Sequence, residues 1–204
     1  MVKKIQRTLY VEGAAQNNKA SRSEFRKALG KLFERAGIRM KPSVVPCGSR
    51  QRAFETFCSA LAKADSDEVV LLLVDSEAPV TTEDPWEHVR RREGDGWVKP
   101  ERATPDQLHL MVQMMEAWFL ADPDALERHF GKGFRRDALP KHADIEKVAK
   151  LEVYRALEAA TTPTKSGPYG KGSHSFKILA ELDPKKLEAA SPWAQRLFQA
   201  LAAA

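Results

Sequence analysis

The chain of 204 residues has very little cysteine and no long hydrophobic run. Its two cysteines, Cys47 and Cys58, are too few for a disulfide framework or a zinc site. We expect both to be small buried residues in a reducing compartment. A membrane-spanning helix needs about 20 consecutive apolar residues, and the sequence has no such segment. Because its start also lacks the apolar core of a signal peptide, we expect a cytoplasmic protein.

The sequence also lacks the common nucleotide- and DNA-binding motifs. It has no Walker-type glycine loop and no helix-turn-helix or zinc-finger pattern. The formal net charge of +5 and the pI of about 9.2 permit a polyanionic partner without requiring one. Any contact with nucleic acid would therefore be made through backbone phosphates, with low sequence specificity and strong salt dependence.

Residues 68–77 form the segment around which the rest of the chain is organised. Six apolar residues, from position 69 to 74, are followed by Asp75 and Glu77. Such a run predicts a strand buried on both faces of a parallel sheet, and the carboxyl ends of these strands open onto ligand crevices. If the strand geometry continues, the two carboxylates point the same way and suit a hard divalent cation. The alternative is a strand end followed by a solvated acidic turn.

Two strand–helix units precede this strand. The first helix is expected to begin with a capping box of Ser21 and Glu24 and to end at Gly37. Right-handed crossovers between the successive strands imply a parallel sheet. The predicted strands and the first helix lie at residues 5–11, 21–37 and 43–46, and a second helix follows a tight turn at 47–52 and ends near residue 64.

Three carboxylates are predicted to meet at one edge of this sheet. Glu12 directly follows the first strand, so it should lie at the same edge as Asp75 and Glu77 if the two strands are neighbours. Like charges at this spacing repel one another and need a compensating cation. Mg²⁺ or Mn²⁺ would supply that charge and keep positions that a phosphate can occupy.

The second half of the chain is predicted to be mainly helical. Residues 78–106 are rich in proline, glycine and charge and predict a long loop, with a basic run at 90–92 that either contacts phosphates or is simply solvated. His109 is expected to be a hydrogen-bonded core residue in a further strand. That strand and the later helices are predicted at residues 108–113, 114–121, 123–130 and 144–160, and near His174 and Pro192.

The fold class is therefore α/β, a Rossmann-like and mostly parallel sheet of about four strands flanked by helices. We divide the chain into an α/β core at residues 1–125 and a helical C-terminal extension at residues 126–204, packed on that core.

Five further residues are candidates for the site. Glu116 could bind a second metal ion or form a structural pair with an arginine. Lys171 and His174 lie in a basic, glycine-rich segment that could clamp a phosphate or be an exposed connector. Arg50 and Arg52 follow the second strand and could contact phosphates or form a solvated helix start.

The sequence resembles proteins with the TOPRIM fold, which occurs in topoisomerases, primases and the nuclease half of overcoming-lysogenization-defect (OLD) proteins. It is more similar still to a family of small bacterial TOPRIM-like proteins, the domain-of-unknown-function 4276 family. The segments that carry the resemblance are Val11-Glu12-Gly13, Leu73-Val74-Asp75-Ser76-Glu77, Met115-Glu116-Ala117-Trp118-Phe119 and Tyr169-Gly170-Lys171.

This resemblance implies a TOPRIM-like core and a metal-dependent nuclease. It makes Glu12 a metal ligand or general base and makes Asp75 and Glu77 metal ligands, with Glu77 replacing the usual second aspartate. It also implies an ATPase partner of the kind that accompanies OLD-type nucleases, in defence against foreign DNA.

Different classes of function follow. The first is Mg²⁺- or Mn²⁺-dependent cleavage of nucleic acid, with Glu12, Asp75, Glu77 and Lys171 as catalytic residues. The second is a non-catalytic module that binds an ATPase partner or nucleic acid. The protein could form a homodimer in either class. A third is another phosphoryl transfer, such as nucleotide polymerisation or hydrolysis of a small nucleotide.

Overall fold

The computed structural model describes residues 5–14, 18–172 and 174–203. In these ranges the strands form one sheet of four, all parallel, in the order β2-β1-β3-β4. This arrangement confirms the predicted α/β class and is consistent with a Rossmann-like fold. The strands are β1 (Gln6–Glu12), β2 (Ser43–Gly48), β3 (Glu68–Asp75) and β4 (Leu108–Met111).

Helices connect the strands and form most of the second half. Short 3₁₀ turns lie at Pro105–Gln107, Met115–Ala121, Arg136–Ala138 and Ile145–Lys147. None of the helices in the described ranges is long and apolar enough to cross a membrane. The α-helices are α1 (Lys19–Arg35), α2 (Arg50–Lys63), α3 (Pro85–Arg91), α4 (Pro123–Phe130), α5 (Lys150–Thr161), α6 (Ser175–Glu181), α7 (Pro184–Ala190) and α8 (Pro192–Ala202).

Strand β3 is apolar from Val69 to Val74 because both faces of the sheet are covered. Its side chains alternate between two core layers. Leu71 and Leu73 face a layer formed with α1 and the C-terminal helices. Val70, Leu72 and Val74 face a second layer formed with α2, α3 and the segment after α3. The uninterrupted apolar run is thus the expected pattern of a parallel strand buried on both sides.

The C-terminal helices share the first core layer with the sheet. Leu9 of β1 and Leu197 of α8 are both fully buried in it. The guanidinium of Arg7 donates a hydrogen bond of 2.9 Å to the carbonyl oxygen of Leu201, at the end of α8. The predicted boundary at residue 125 stays a prediction.

The predicted start of α1 is wrong, and its predicted end is confirmed. Asn18 caps the helix because its side-chain oxygen accepts a hydrogen bond of 2.9 Å from the backbone N–H of Ser21. Ser21 therefore lies inside the helix instead of capping it. At the other end, Gly37 has a φ of 76° and its N–H bonds to the carbonyl of Glu34, an ending that favours glycine.

Four other predictions are corrected. Residues 78–106 contain helix α3, in which Arg90 and Arg91 pair with Glu87. The helix predicted at 144–160 is divided into a 3₁₀ turn and α5, and the segment 114–121 is 3₁₀ helix. Three helices, not two, follow residue 174, because Asp183 and Ser191 each cap a new helix that starts with proline.

Candidate active site

The acids predicted to converge do so at the carboxyl edge of the sheet. Glu12 ends β1 and Asp75 ends β3, and these two strands are neighbours. Each of Glu12, Asp75 and Glu77 places a carboxylate oxygen so that the three atoms lie within 4.8 Å of one another. The predicted geometry is therefore present, whereas metal binding by these residues stays a prediction.

Glu77 reaches the cluster by a route that the sequence did not predict. Strand β3 ends at Asp75, and Glu77 has a φ of 63°, in the left-handed region. The expectation of continued strand geometry is thus wrong. The turn is held because the N–H of Glu77 bonds to the carbonyl of Gln113 at 3.0 Å. The Glu77 carboxylate also pairs with the ammonium group of Lys150. A non-glycine residue in this conformation costs roughly 1 kcal/mol, which is typical of functional sites.

Asp75 is the most deeply buried acid of the three, with 7% of its surface exposed. Its Oδ1 accepts a hydrogen bond of 2.8 Å from the N–H of Met115. Burial raises the pKa of Asp75 well above its ordinary value, and the nearby Glu12 and Glu116 carboxylates raise it further. The site thus disfavours the ionised form of Asp75 unless a cation compensates its charge.

Glu12 is positioned by the turn that follows β1. Gly13 has a φ of 119°, and a Cβ there would lie 3.0 Å from the ring of Phe25, so the turn requires glycine. The Oε2 atom of Glu12 accepts a hydrogen bond of 3.1 Å from the N–H of Asp75. Burial raises the pKa of Glu12, although Arg50 acts in the opposite direction.

Arg50 lies inside the acidic cluster. Its guanidinium makes a bidentate contact with Asp95, at 2.8 and 2.6 Å, and lies 3.4 Å from Glu12. It also donates to the main-chain oxygen of Asp75 and stacks over the ring of Trp97. Through these contacts Arg50 holds the acids in place. The predicted contact of Arg50 with phosphate stays a prediction. No sequence pattern pointed to Asp95, since a lone acid in a long loop is common.

Glu116 lies next to the cluster without joining it. Its side chain is fully buried, and its Oε1 accepts a hydrogen bond of 3.2 Å from the hydroxyl of Tyr169. The ammonium group of Lys171 lies 3.6 Å from the same oxygen. Among the residues that the structure describes, Oε2 of Glu116 has no hydrogen-bond partner. The arginine pair considered for Glu116 is thus replaced by a lysine and a tyrosine, and its role as a metal ligand stays a prediction.

Lys171 is the cation that pairs with the buried Glu116. Its pKa is raised by Glu116 and Asp75, which outweigh the opposing effect of burial. The Tyr154 hydroxyl lies 3.4 Å from its Nζ. The side chain remains 61% exposed, so it can meet a ligand from solvent.

Two other predicted phosphate contacts lie elsewhere. The ring of His174 contacts His129, with 3.1 Å between the nearest ring nitrogens, and packs against Phe130. Arg52 is exposed on the first turn of α2. Their contact with phosphate stays a prediction.

A cavity of about 540 Å³ opens beside the acids. Its polar wall contains Glu12, Asp75 and Lys171, and its apolar wall contains Phe25 and Phe176. The described lining does not include Glu77, which faces Lys150 instead. The cavity has the size and mixed lining of a small-ligand site.

The donor set fits a hard divalent cation. Oxygens on opposite sides of an octahedral Mg²⁺ are about 4.2 Å apart, so small side-chain rotations would bring the three carboxylates to one ion. Four acids, including Glu116, face the cations Arg50, Lys150 and Lys171, and Asp95 shares Arg50 while it also pairs with Arg92. The uncompensated charge and the open Oε2 of Glu116 both favour an additional positive ligand.

A family model matches residues 19–202 of the chain, and its description is "Domain of unknown function (DUF4276)". The match includes Asp75, Glu77, Glu116 and Lys171, whereas Glu12 lies before it. No curated protein and no solved structure matches the chain. Because the match covers most of the sequence, the protein belongs to the DUF4276 family.

Proposed function

We propose that this protein hydrolyses phosphodiester bonds of nucleic acid with Mg²⁺ or Mn²⁺ held by Glu12, Asp75 and Glu77. The observation that carries the proposal is the convergence of these three carboxylates, within 4.8 Å of one another, beside a cavity that a substrate can enter. The resemblance of the strand-end motifs to TOPRIM proteins supports the same chemistry.

The cation would activate a water molecule and stabilise the leaving oxygen of the phosphodiester. The chain's own residues bind and orient the substrate. Lys171 neutralises a phosphate oxygen at the mouth of the cavity. Glu116 and the hydroxyl of Tyr154 hold Lys171 in place, and Tyr169 bonds to Glu116. We therefore assign Glu116 a positioning role, with one cation at the site. Arg50 holds Glu12 against Asp75.

The test combines a calorimetric titration of Mn²⁺ with cleavage of labelled DNA and RNA. Glu12→Gln should abolish metal binding and reduce cleavage more than about 100-fold, since loss of groups that only support a ligand already costs 10- to 100-fold. Glu68→Gln, at the opposite end of β3 and exposed, is the matched control and should behave as the wild type. Metal-dependent cleavage that survives in Glu12→Gln would refute the proposal.

The second candidate is a non-catalytic module that binds an ATPase partner or nucleic acid. One observation favours it: Glu12 and Glu77 already have cationic partners, Arg50 and Lys150. It predicts that the wild type binds its partner but does not cleave, and that Glu12→Gln binds equally well. The ATPase partner, the role in defence against foreign DNA, the cytoplasmic location and the homodimer are proposals that belong to either candidate.

A further inference from the structure

The cavity beside the acids continues into a second depression. A groove of about 420 Å³ lies between α1 and α6. Glu24 and Phe176 line both the cavity and the groove, so the two are adjacent along the surface of α1. A ligand longer than the cavity can therefore leave it along this groove.

The groove has an excess of positive charge, because four lysines line it against two acids, Glu24 and Glu34. Lys27, Lys31 and Lys177 line it, and none of the three forms an ion pair with another residue that the structure describes. Lys27 and Lys31 are one helical turn apart, about 6 Å along the axis of α1. A row of unpaired ammonium groups at this spacing is complementary to a chain of phosphates. The groove also contains a cationic side chain, Lys41, that is paired with Glu34.

A glycine keeps the floor of the groove open. Gly30 lies inside α1, where glycine is less favourable than alanine. A Cβ at this position would meet nothing within 4 Å, so core packing does not require glycine here. A larger side chain would instead project into the groove.

The cavity itself suits an unpaired base. Phe176 is partly exposed in this wall, and its ring is stacked on that of the buried Phe25 with their centroids 4.7 Å apart. Met111 and Met115 extend the wall. Aromatic side chains of this kind hold single-stranded bases by stacking with little sequence preference. A base within a duplex is paired and stacked and would have to leave the helix to enter.

We propose that α1 and α6 form a binding track for single-stranded nucleic acid. One base lies against the ring of Phe176, which is backed by Phe25, and the phosphates that follow contact Lys27, Lys31 and Lys177. The direction of the strand, with a phosphate toward Asp75 and Lys171, depends on the proposed function. The preference for a single strand does not.

The test is fluorescence anisotropy with labelled oligomers of about 12 nucleotides, within the site sizes of single-strand-binding domains, each measured with Mg²⁺ and with EDTA. The probes are a deoxythymidine oligomer, a uridine oligomer, the matching DNA duplex and a DNA oligomer without bases. We expect the single strands to bind at least about tenfold tighter than the duplex and the baseless oligomer. Equal binding of all four probes, or no binding of any, would overturn the proposal. The two single-stranded probes distinguish DNA from RNA.

Two variants test the track itself. Replacing Lys27, Lys31 and Lys177 together with alanine should lower the salt dependence of binding by about 2 in the log–log slope, since each phosphate contact contributes about 0.7. The matched control replaces exposed lysines 63, 99 and 132, which changes the net charge equally but lies outside the groove. Equal slopes for the two triple variants would overturn the proposal.

Gly30→Gln tests the shape of the groove without changing charge. Glutamine favours helix more than glycine does, so the variant should fold at least as well as the wild type. It should nevertheless bind the deoxythymidine oligomer several-fold more weakly, because its side chain enters the groove. Unchanged affinity in a folded Gly30→Gln would contradict the track.

The two proposals can fail separately. Single-strand binding that depends on the three lysines, without cleavage, would refute the nuclease and leave the track. Metal-dependent cleavage of duplex and single strand at equal rates, unaffected by the lysine triple variant, would refute the track and leave the nuclease.

Discussion

Among the described residues, two clusters bring several acids close to several cations, and the pKa values of their acids are shifted in opposite directions. The sheet-edge cluster consists of Glu12, Asp75 and Glu77, with Glu116 beside it, and the helix-cap cluster consists of Asp122, Asp124, Arg136 and Lys186. Hydrogen bonds from Lys186 and Arg136 lower the pKa of Asp124 to about 2. Burial instead raises the pKa of Asp75 well above its ordinary value. The same residue types thus favour the charged acid on the surface and disfavour it at the sheet edge.

The difference indicates which cluster is structural. Asp122 is buried, but it caps α4, accepts the N–H of Asp183 at 3.0 Å and pairs with Lys186 at 2.6 Å. These contacts connect α4 to α7 and account for the burial of the Asp122 carboxylate. At the sheet edge the acids repel one another, and one oxygen of Glu116 has no partner among the described residues. Acids held in an unfavourable state in a cleft are typical of functional sites.

The largest expected difference between the clusters appears when one acid of each loses its charge. Asp75→Asn should abolish Mn²⁺ binding and reduce cleavage more than about 100-fold, as argued for Glu12. Asparagine keeps an oxygen for the N–H of Met115, so the fold should remain. Because the pKa of Asp75 is raised in the folded state, its stabilising contribution is lost as the pH rises through that pKa. At neutral pH without metal, the variant should therefore melt at the same or a higher temperature.

Asp124→Asn is the matched control and should show the reverse. Its lowered pKa means that Asp124 stabilises the fold above the pKa of the unfolded chain, and that this contribution is lost on acidification. Asp124→Asn should lower the melting temperature slightly and leave Mn²⁺ binding and cleavage unchanged. Calorimetry and thermal melts of both variants check this comparison. If both variants destabilise the metal-free protein equally, the two clusters do not differ as described.

A buried titratable group outside both clusters sharpens the comparison. His109 in β4 is fully buried, and neither ring nitrogen has a well-formed hydrogen bond to a described residue, so the expectation of a hydrogen-bonded core histidine is wrong. Burial and the nearby guanidinium of Arg196 lower the pKa of His109 to about 3, although a backbone contact from Asp106 acts in the opposite direction. The stability that its neutral form contributes is complete above about pH 6.5 and is lost as the pH falls toward 3.

His109→Leu should therefore remove part of the acid sensitivity. Between pH 7 and 4.5 the wild type should lose about 2 to 3 kcal/mol relative to the variant, at about 1.4 kcal/mol per pH unit below 6.5. Urea unfolding of both proteins across this range measures the difference. A difference in unfolding free energy that is independent of pH would show that His109 becomes protonated in the folded state.

The sequence was sufficient to predict the sheet and the meeting of its acids. The apolar run of β3 required cover on both faces, and the order of the elements required parallel neighbours. These two facts place Glu12 and Asp75 at one edge without any knowledge of loops. The strands β1, β2 and β3 and the helices α1 and α2, which precede residue 77, follow from the same local and periodic patterns.

The remaining part of the site depends on contacts between distant segments. Asp95 reaches Arg50 across 45 positions, and Lys150 reaches Glu77 across 73. No periodic pattern encodes such pairs, because they are set by the paths of loops. The left-handed turn at Glu77 was unpredictable for a related reason. The turn is held by a hydrogen bond to the carbonyl of Gln113, and the residue in the left-handed conformation is a glutamate instead of a glycine.

A smaller effect is expected at Glu116, which borders the sheet-edge cluster. Glu116→Gln keeps an acceptor for Tyr169 and removes the charge that faces Lys171. With Lys171 less well held, cleavage should fall by about tenfold, or about 1.4 kcal/mol in transition-state stabilisation. The number of Mn²⁺ ions bound should stay at one. Loss of one of two bound ions would contradict the positioning role and make Glu116 a metal ligand.

Glu146→Gln is the matched control for this change. Glu146 is another partly buried acid whose pKa is raised by burial, and it accepts hydrogen bonds from Ser191 and Trp193 at the start of α8. It lies outside the cavity lining. We therefore expect a change in stability with no change in cleavage, and a loss of cleavage equal to that of Glu116→Gln would mean that the effect is not local.

The smallest effect should come from a cation of the helix-cap cluster. Lys186 contacts Asp122 and Asp124 at 2.6 and 2.5 Å, and these hydrogen bonds raise its pKa. Its stabilising contribution is complete at neutral pH, but 38% of the side chain is exposed, and solvent screens such pairs. Lys186→Ala should cost about 0.5 to 1 kcal/mol by urea unfolding, and less at high salt, without changing cleavage. The loss is limited because Asp122 keeps the N–H groups of Ala125 and Asp183. A larger, salt-independent loss of unfolding free energy would show that the helix-cap cluster behaves as a buried cluster. It would then not differ from the sheet-edge cluster in this respect.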